Sequence, residues 1–359
     1  MKTLSIEGIK EYLPTEWSSK CKEYGALQRG RSIKTAEDLL TLNLLYMTEG
    51  ESLQMTSAMM KLAGVSVNKN AVHERIKSSG KWLGWMAKEV LSENGFLIEK
   101  PEWLKEKELC LADGSELALK GSKGGDYLLH YMFSLFEFSC RQLELTTTEE
   151  GERLSIFEFK AGDIVIGDRN YGNMKAIEHV KEKGAEYILR LKAGCFNIYD
   201  SEGKDMEILE YGKELDEWES KTIDCYYRQG KELRPFKVCL MKKGKEEIKK
   251  TITKQKRKAS KEQRTLSAKS IETNDYIVLA TNLTYTPEQI FELYRARWQI
   301  ELVFKRLKTL FGFGNVPSKN PDSVKSWFYG KLLLAGICES SIKRSHFSPA
   351  PNSGRREYS

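Results

Sequence analysis

Four polar residues in the last third of the chain are spaced to share one face of a helix. A helix that turns about 100° per residue places Tyr294, Arg297, Glu301 and Lys308 at roughly 0°, −60°, −20° and −40°. That face is about 21 Å long, too long for one small ligand but matched to several consecutive phosphates of a nucleic-acid strand. The spacing therefore predicts one metal-binding carboxylate, Glu301, within a phosphate-binding face.

An apolar stripe beside this face would hold it in a fixed orientation against a core. Its members fall at roughly −80° to −140° on the same wheel: Leu293, Ile300, Phe304, Leu307 and Phe311. Trp298 lies on the other side, at about +40°, where it either stacks on a displaced base or packs at the rim of the core. An ion-paired surface helix would use the same residue types, so this helix alone does not decide the function.

Two further acids follow short apolar runs. The pattern predicts a strand over 108–113 and another over 162–168, so that Asp113 and Asp168 each end a strand. If these strands are neighbours and the helix bearing Glu301 packs across them, three carboxylates converge. Carboxylate oxygens suit hard cations such as Mg²⁺ or Mn²⁺, and two such ions could activate a water or a 3′-hydroxyl for phosphodiester displacement.

Each aspartate also has a local structural interpretation. Asp113 precedes Gly114, and Asp-Gly is a common turn pair. Asp168 could begin the turn into the following helix, with Asn170 as the helix cap. Taken singly, neither aspartate favours catalysis over a turn, and only their convergence would decide.

Other catalytic chemistries lack the residues they need. Asp126 and Asp163 precede their predicted strands and would lie at the opposite edge of the sheet. The four histidines stand in no nucleophile or metal-ligand spacing, and the glycine-rich run 121–125 lacks the strand, loop and helix of a phosphate-binding P-loop. Serine and cysteine hydrolases are therefore disfavoured.

The positive charge is concentrated in one segment. The chain of 359 residues has a net charge of +7, yet residues 241–270 alone contain twelve Lys or Arg and three Glu. Such a run is typical of a solvated or mobile basic loop. It would equally suit non-specific attraction to a polyanion, because each neutralised phosphate releases counterions.

Hydropathy and cysteine usage favour an intracellular protein. There is no run of 18 or more apolar residues and no secretory signal at the start, so we expect a cytoplasmic, nucleoid-associated protein without a membrane partner. The seven cysteines are scattered and never spaced as Cys-x-x-Cys, which disfavours a disulfide framework or a structural zinc site.

The periodicity of the chain predicts an α/β protein in several parts. Within the first part, a helix over 52–63, a break at Gly64 and a second helix over 70–79 resemble a helix-turn-helix, although any two packed helices could look the same. The predicted parts are a helical N-terminal DNA-binding region (1–100), a catalytic core in two pieces (101–195 and 275–344), a β-rich basic insertion (196–274) and a disordered tail (345–359).

These residues together resemble a known family. Tyr294-x2-Arg297-x3-Glu301-x6-Lys308 matches the Tyr-Arg-Glu-Lys signature of the DDE transposases of bacterial insertion sequences, in the IS-four group. The runs 113–115 (Asp-Gly-Ser) and 168–171 (Asp-Arg-Asn-Tyr) resemble the first and second acidic motifs of that group. The second motif departs mildly, since a glycine is usual where Asn170 stands, and Asn also tolerates left-handed backbone conformations.

The resemblance implies a ribonuclease-H-like catalytic core, a mixed sheet flanked by helices. It implies that Asp113, Asp168 and Glu301 are the catalytic metal ligands for two Mg²⁺ ions, with Mn²⁺ as a possible substitute. It also implies a homodimer acting on double-stranded DNA, both the terminal inverted repeats and the target.

DNA-binding roles follow from the same resemblance and from position. The family implies that Tyr294, Arg297 and Lys308 contact phosphates of the terminal DNA. Arg190 and Lys192 extend outward from a predicted strand near the proposed centre, and we expect them to touch DNA as well.

The leading functional hypothesis is a transposase that cleaves at the ends of an insertion sequence and joins the freed 3′-hydroxyl to target DNA. One alternative is a catalytically silent DNA-binding regulator derived from such an enzyme, which the presence of all three acids disfavours. Another is a ribonuclease-H-like nuclease, which would cut without joining.

Overall fold

The fold is described from a computed structural model of the chain. It describes residues 6–48, 52–95, 97–192, 197–263, 265–266, 271–312 and 316–347, with the backbone alone at 310–311 and 344–347. Most of the predicted tail lies outside the described residues, but the part at 345–347 is helical, contrary to that prediction. No described helix combines the length and the apolar character needed to cross a membrane.

The N-terminal part is helical, as predicted. Its helices are α1 (Glu7–Lys10), α2 (Trp17–Glu23), α3 (Ala36–Thr48), α4 (Leu53–Leu62) and α5 (Lys69–Glu93). Ser52 and Asn68 cap α4 and α5 by accepting hydrogen bonds from the backbone N–H groups of Met55 and Ala71. Gly64, at φ +87°, forms the turn between them, because glycine enters the left-handed region without a steric penalty.

Helix α5 is much longer than the predicted 70–79 and has a structural role over most of its length. Beyond the first turns it buries Trp82, Leu83 and Met86 and packs along the last helix of the chain, α10 (Pro321–Phe347). The DNA-reading role of α4 and α5 stays a prediction.

One eight-stranded mixed sheet forms the centre of the molecule, in the strand order β3-β2-β1-β4-β5-β8-β7-β6. The strands are β1 (Glu108–Leu117), β2 (Tyr127–Ser134), β3 (Ser139–Thr147), β4 (Asp163–Gly167), β5 (Glu186–Arg190), β6 (Ser220–Gln229), β7 (Glu232–Lys242) and β8 (Tyr276–Thr281). β1 to β3 form an antiparallel meander, and β4 pairs in parallel with both β1 and β5. The sheet flanked by helices is the predicted α/β arrangement.

Alternating side chains of β1 and β4 pack into two different cores. Leu111 and Ile166 point to the face covered by the N-terminal helices, α10 and the helix that carries Glu301. Ala112 and Val165 point to the other face, which is covered by α6 (Met174–Glu182). By this alternation, Asp113 and Asp168 belong to the first face, the one where Glu301 lies.

The predicted insertion forms a hairpin that joins the main sheet. β7 pairs antiparallel with β8 over six residues, so β6 and β7 extend the sheet at its edge. The basic run after the hairpin is not a mobile loop over 245–261: it forms helix α7 (Lys245–Lys261). The boundaries of the predicted domains stay a prediction.

The fold contains a buried ion pair under the start of β4. The two terminal nitrogens of the Arg141 guanidinium, Nη1 and Nη2, donate to Oδ1 and Oδ2 of Asp163 at 2.7 and 2.8 Å. The Asp163 side chain is fully buried. Asp163 thus lies at the end of β4 remote from Asp168, as the sequence indicated, and serves packing.

Candidate active site

Asp113 and Asp168 are neighbours across two parallel strands. The prediction that Asp113 ends its strand is wrong, because β1 continues to Leu117 and Gly114 pairs with His130 in the ladder. The turn interpretation of Asp113 is wrong for the same reason. β4 does end beside Asp168, and the last parallel pair is Ala112 with Gly167. Asp113 and Asp168 directly follow this pair, so the two aspartates lie opposite each other. Neighbouring strands in a sheet are about 4.8 Å apart.

The environment of Asp113 disfavours its negative charge. The pKa of this carboxyl is raised to about 7, first by burial and then by the neighbouring Asp168 carboxylate, while the Gly114 N–H and Arg297 lower it. The Gly114 N–H donates to Asp113 Oδ1 at 2.9 Å. Two partly buried carboxylates side by side are a place where a bound cation would relieve repulsion.

The loop after Asp168 is organised by hydrogen bonds to that residue. The backbone N–H of Asn170 donates to Asp168 Oδ1 at 2.8 Å. The predicted cap of the next helix is wrong: Asn173, not Asn170, caps α6, by accepting from the N–H of Ala176 at 3.0 Å. Asp168 thus shapes the loop between β4 and α6 rather than ending in solvent.

Glu301 lies on a separate helix from Tyr294. The single helix predicted over 294–308 is wrong: α8 (Pro287–Arg295) ends before α9 (Trp298–Phe311) begins. Between them the N–H groups of Ala296 and Arg297 bond to residues three positions earlier, which tightens the turn. The wheel angle of Tyr294 relative to the other three residues therefore does not hold.

One guanidinium connects Glu301 to Asp113. Arg297 Nη2 lies 2.5 Å from Glu301 Oε1, and Arg297 Nη1 lies 3.8 Å from Asp113 Oδ2. The helix is held there by Phe304, whose ring meets that of Tyr131 edge-on at 5.9 Å, and Tyr131 is the cross-strand partner of Asp113. Within the described ranges, no group of three or more His, Cys, Asp or Glu side chains is arranged to hold one ion in common.

The other predicted residues differ in exposure. Tyr294 is buried, and burial raises its pKa against the lowering effect of nearby Arg190 and Arg297. Lys308 is exposed on α9, and Lys192 is exposed just after β5. Trp298 is 61% exposed, so packing at the core rim does not explain it. The predicted buried stripe is confirmed at Leu293, Ile300, Phe304 and Leu307, while the side chain of Phe311 is outside the described set.

Comparison with known proteins shows the family of the chain. The transposase DDE domain family matches residues 146–337, which include Asp168 and Glu301. The chain belongs to the DDE transposase family. It is similar to transposase InsL for insertion sequence element IS186A of Escherichia coli strain K12, with 28% identity over 95% of this chain and 94% of the relative.

Further relatives carry the same description. The transposase for insertion sequence element IS421 of Escherichia coli is 28% identical, over 95% of this chain and 94% of the relative. The transposase for insertion sequence element IS231F of Bacillus thuringiensis subsp. israelensis is 26% identical over 51% of this chain and 42% of the relative. The chain is thus a DNA transposase of insertion-sequence type, with the ribonuclease-H-like core and divalent-metal dependence of its family.

Glu152 is a further acid close to Asp168. Its Oε2 accepts a hydrogen bond from Asn170 Nδ2 at 2.7 Å, and its side chain covers Gly114, where a Cβ would lie 2.7 Å from Glu152 Oε1. Burial raises the pKa of Glu152, Asn170 lowers it, and Asp168 raises it further. Sequence reasoning missed Glu152 because it follows two other glutamates in a surface-like run, and only the sheet brings it to Asp168.

Two cations next to the acids, Arg169 and Lys243, were missed, and both lie close to the predicted Arg190. Burial and then the charge of Arg190 lower the pKa of Arg169, and Arg190 and Arg169 both lower the pKa of the buried Lys243 ammonium. Lys243 Nζ donates to the Asn274 carbonyl at 2.6 Å. Cations held together in a partly buried place favour an anionic ligand, and the only sequence signal for Lys243 was its place in the basic run.

Gly172 provides a test of how closely the Asp168 loop must approach β5. A Cβ at this position would lie 2.1 Å from the Arg190 carbonyl oxygen, which is backbone and cannot move aside. We expect Gly172→Ala to lower the free energy of unfolding by about 1–3 kcal/mol. We also expect it to slow DNA nicking on the order of 10-fold by displacing the loop.

Thermal unfolding and a nicking assay measure the two effects. Gly124→Ala is the matched control, since nothing lies within 4 Å of its Cβ and its φ is not in the left-handed range. A Gly172→Ala protein with the melting temperature and activity of the wild type would contradict the predicted close contact.

Proposed function

We propose that this transposase cleaves DNA at the ends of an insertion sequence and joins the freed 3′-hydroxyl to target DNA, in cut-and-paste transposition. The observation that supports this most is the alignment of Asp113 and Asp168 across β1 and β4, with Glu301 linked to Asp113 through Arg297. An in-line phosphodiester displacement needs such oxygen ligands and no side-chain nucleophile.

The donor set suits the proposed ligand, two Mg²⁺ ions with Mn²⁺ as a substitute. All three side chains, Asp113, Asp168 and Glu301, offer hard carboxylate oxygens, and a bound cation would oppose the burial and the Asp168 charge that raise the pKa of Asp113. When bound, the metal would supply the activation of a water or 3′-hydroxyl and the neutralisation of the leaving oxygen. Arg297 offsets part of the negative charge of Asp113 and Glu301 in the protein alone.

The cationic and aromatic side chains around the acids would orient the DNA strand. Arg297 and Lys308, on or beside α9, would bind phosphates on either side of Glu301, and the buried Tyr294 would support Arg297 and Arg190 from behind. Arg190 and Lys192 would bind phosphate beyond the end of β5. Trp298 is exposed enough to stack on a displaced base.

The remaining parts would serve the same reaction. Residues 1–100 would hold terminal inverted repeats, 101–195 and 275–344 would form the catalytic core, and 196–274 would be the basic insertion. A homodimer would bring two ends together before they join the target. The names of the relatives, transposases for insertion sequence elements, support the terminal repeats as substrate.

The test is an assay with duplex DNA carrying the inverted repeats that flank this reading frame. We expect Mg²⁺-dependent nicks that leave a 3′-hydroxyl at the repeat boundary, followed by strand-transfer products with a plasmid target. Binding without nicking would indicate a silent regulator, and nicking without joining would indicate a nuclease. Duplex with scrambled repeats is the control for end recognition.

A further inference from the structure

Helix α7 carries its positive charges on one side. Its inner side is partly or fully buried at Ile248, Ile252, Gln255 and Ala259, and Gln255 Oε1 accepts a hydrogen bond from Asn274 at 2.5 Å. Its outer side presents seven exposed cations: Lys249, Lys250, Lys254, Lys256, Arg257, Lys258 and Lys261. The helix is therefore anchored to the fold and offers a rigid cationic surface.

Four of these cations form a ladder along the helix axis. Lys250, Lys254, Arg257 and Lys261 fall within an arc of roughly 60° and span about 16 Å. One DNA strand carries a phosphate charge about every 3.4 Å of duplex axis, so the ladder spans about five phosphates. The first three cations also line a surface groove, together with Glu246, Lys249 and Thr253.

The charge pattern weakens the isolated helix and so calls for an external partner. Like charges four residues apart, as at Lys250 and Lys254 or at Arg257 and Lys261, repel each other. Among the described residues of α7 outside its first turn, an acidic partner is seen only for Lys258, which lies 3.8 Å from Glu262. A polyanion along the outer side would remove this repulsion.

The start of α7 lies beside the candidate active site. Lys243, two residues before the helix, is close to Arg169 and Arg190, which adjoin Asp168 and Tyr294. Glu247 in the first turn of α7 and Tyr294 line a common cavity. A DNA duplex with one strand at the acids would therefore have α7 within reach of its backbone.

We infer that the outer side of α7 binds backbone phosphates of the DNA duplex next to the cleaved position, independently of base sequence. The inference rests on the proposed function for the presence of DNA at the acids. Helix α7 would thus contribute affinity for DNA in addition to that contributed by Tyr294, Arg297 and Lys308.

The experiment compares two triple variants with equal loss of charge. The first is Lys250→Gln, Lys254→Gln and Arg257→Gln on α7. The control is Lys105→Gln, Lys204→Gln and Lys213→Gln, three exposed lysines that are each paired with a glutamate elsewhere on the surface. Fluorescence anisotropy measures binding to end duplex and to scrambled duplex over a series of salt concentrations.

We expect the α7 variant to bind both duplexes with a weaker dependence on salt, so that the magnitude of the slope of log affinity against log salt falls by about 2–3. We also expect its binding at 0.15 M salt to be weaker on the order of 10-fold. The control should change the slope by less than about 1. Circular dichroism should find the α7 variant as stable as the wild type, since the substitutions remove repulsion.

An unchanged slope in the α7 variant would overturn the inference. An equal change of slope in both variants would also overturn it, because it would mean that only the net charge of the protein matters. A loss confined to the end duplex would also overturn it, by indicating readout of sequence. Nicking by the wild-type protein is measured separately. If the wild type nicks DNA and the α7 variant has the wild-type slope, the inference is wrong and the proposed function stands.

Discussion

Glu301→Gln is expected to reduce Mg²⁺-dependent nicking of the element's ends on the order of 10³-fold or more, while binding of the ends persists. The substitution keeps the shape of the side chain and removes the negative charge that a divalent cation would use. It also releases Arg297, whose Nη2 lies 2.5 Å from Glu301 Oε1, so binding of DNA phosphates should be unchanged or tighter. The glutamate side chain is 44% exposed, so the fold should tolerate the change.

Nicking is measured on end duplex with saturating Mg²⁺, and binding is measured on the same duplex with EDTA. Glu292→Gln is the matched control, an exposed carboxylate on α8 away from Arg297, and it should nick like the wild type. Wild-type nicking by Glu301→Gln would remove Glu301 from the site and with it the proposed role of α9.

Asp113→Asn is expected to abolish nicking and at the same time to stabilise the metal-free protein. The pKa of Asp113 is about 7 in the folded protein, above its ordinary value of 3.8. The folded state therefore holds a proton that the unfolded state has released, and the stability of the wild type falls as pH rises from about 4 to about 7. Asparagine has no charge to bury, so the variant should escape this loss.

The stability difference should be small near pH 4, grow up to pH 7 and stay constant above it, reaching about 1–4 kcal/mol. Thermal unfolding in EDTA across this pH range measures it. Mg²⁺ should then raise the melting temperature of the wild type more than that of the variant, because ligand binding to the native state adds stability. Asp216→Asn, an exposed residue, is the control.

A variant that is less stable than the wild type at pH 8 in EDTA would contradict the raised pKa of Asp113. Wild-type nicking by the variant would contradict its role in catalysis. The two readouts are independent, because the first needs neither DNA nor metal.

Local sequence patterns determined the elements that carry the acids. The run 164–167, Ile-Val-Ile-Gly, is without a polar side chain, which is typical of a central strand, and the structure confirms that strand and the acid that follows it. Ser52 and Asn68 are residue types that commonly cap helices, and each caps one here by accepting a hydrogen bond from a backbone N–H of the first turn. Asp113, Asp168 and Glu301 could be singled out in the sequence because the first two follow apolar runs and the third lies in a segment with helical periodicity.

Only the tertiary structure decided how these elements meet. β1 continues past Asp113 because β2 supplies hydrogen-bond partners as far as Leu117, and no local pattern distinguishes this from a strand that ends at Asp113. The chain tightens at Arg297, which separates Tyr294 from the helix of Glu301, although both segments have helical periodicity. The extension of β1 depends on pairing with another strand, which short-range propensity does not encode.

The same reason explains the charges that were missed. Glu152 reaches Asn170 and Gly114 only because β1 and β4 are neighbours in the sheet. The β6 and β7 hairpin joins β8, and that pairing brings Lys243 and the start of α7 towards Arg190. The sequence by itself thus determined which residues could carry the chemistry, and the order of the strands decided which of them lie together, because that order brings together residues far apart in the chain.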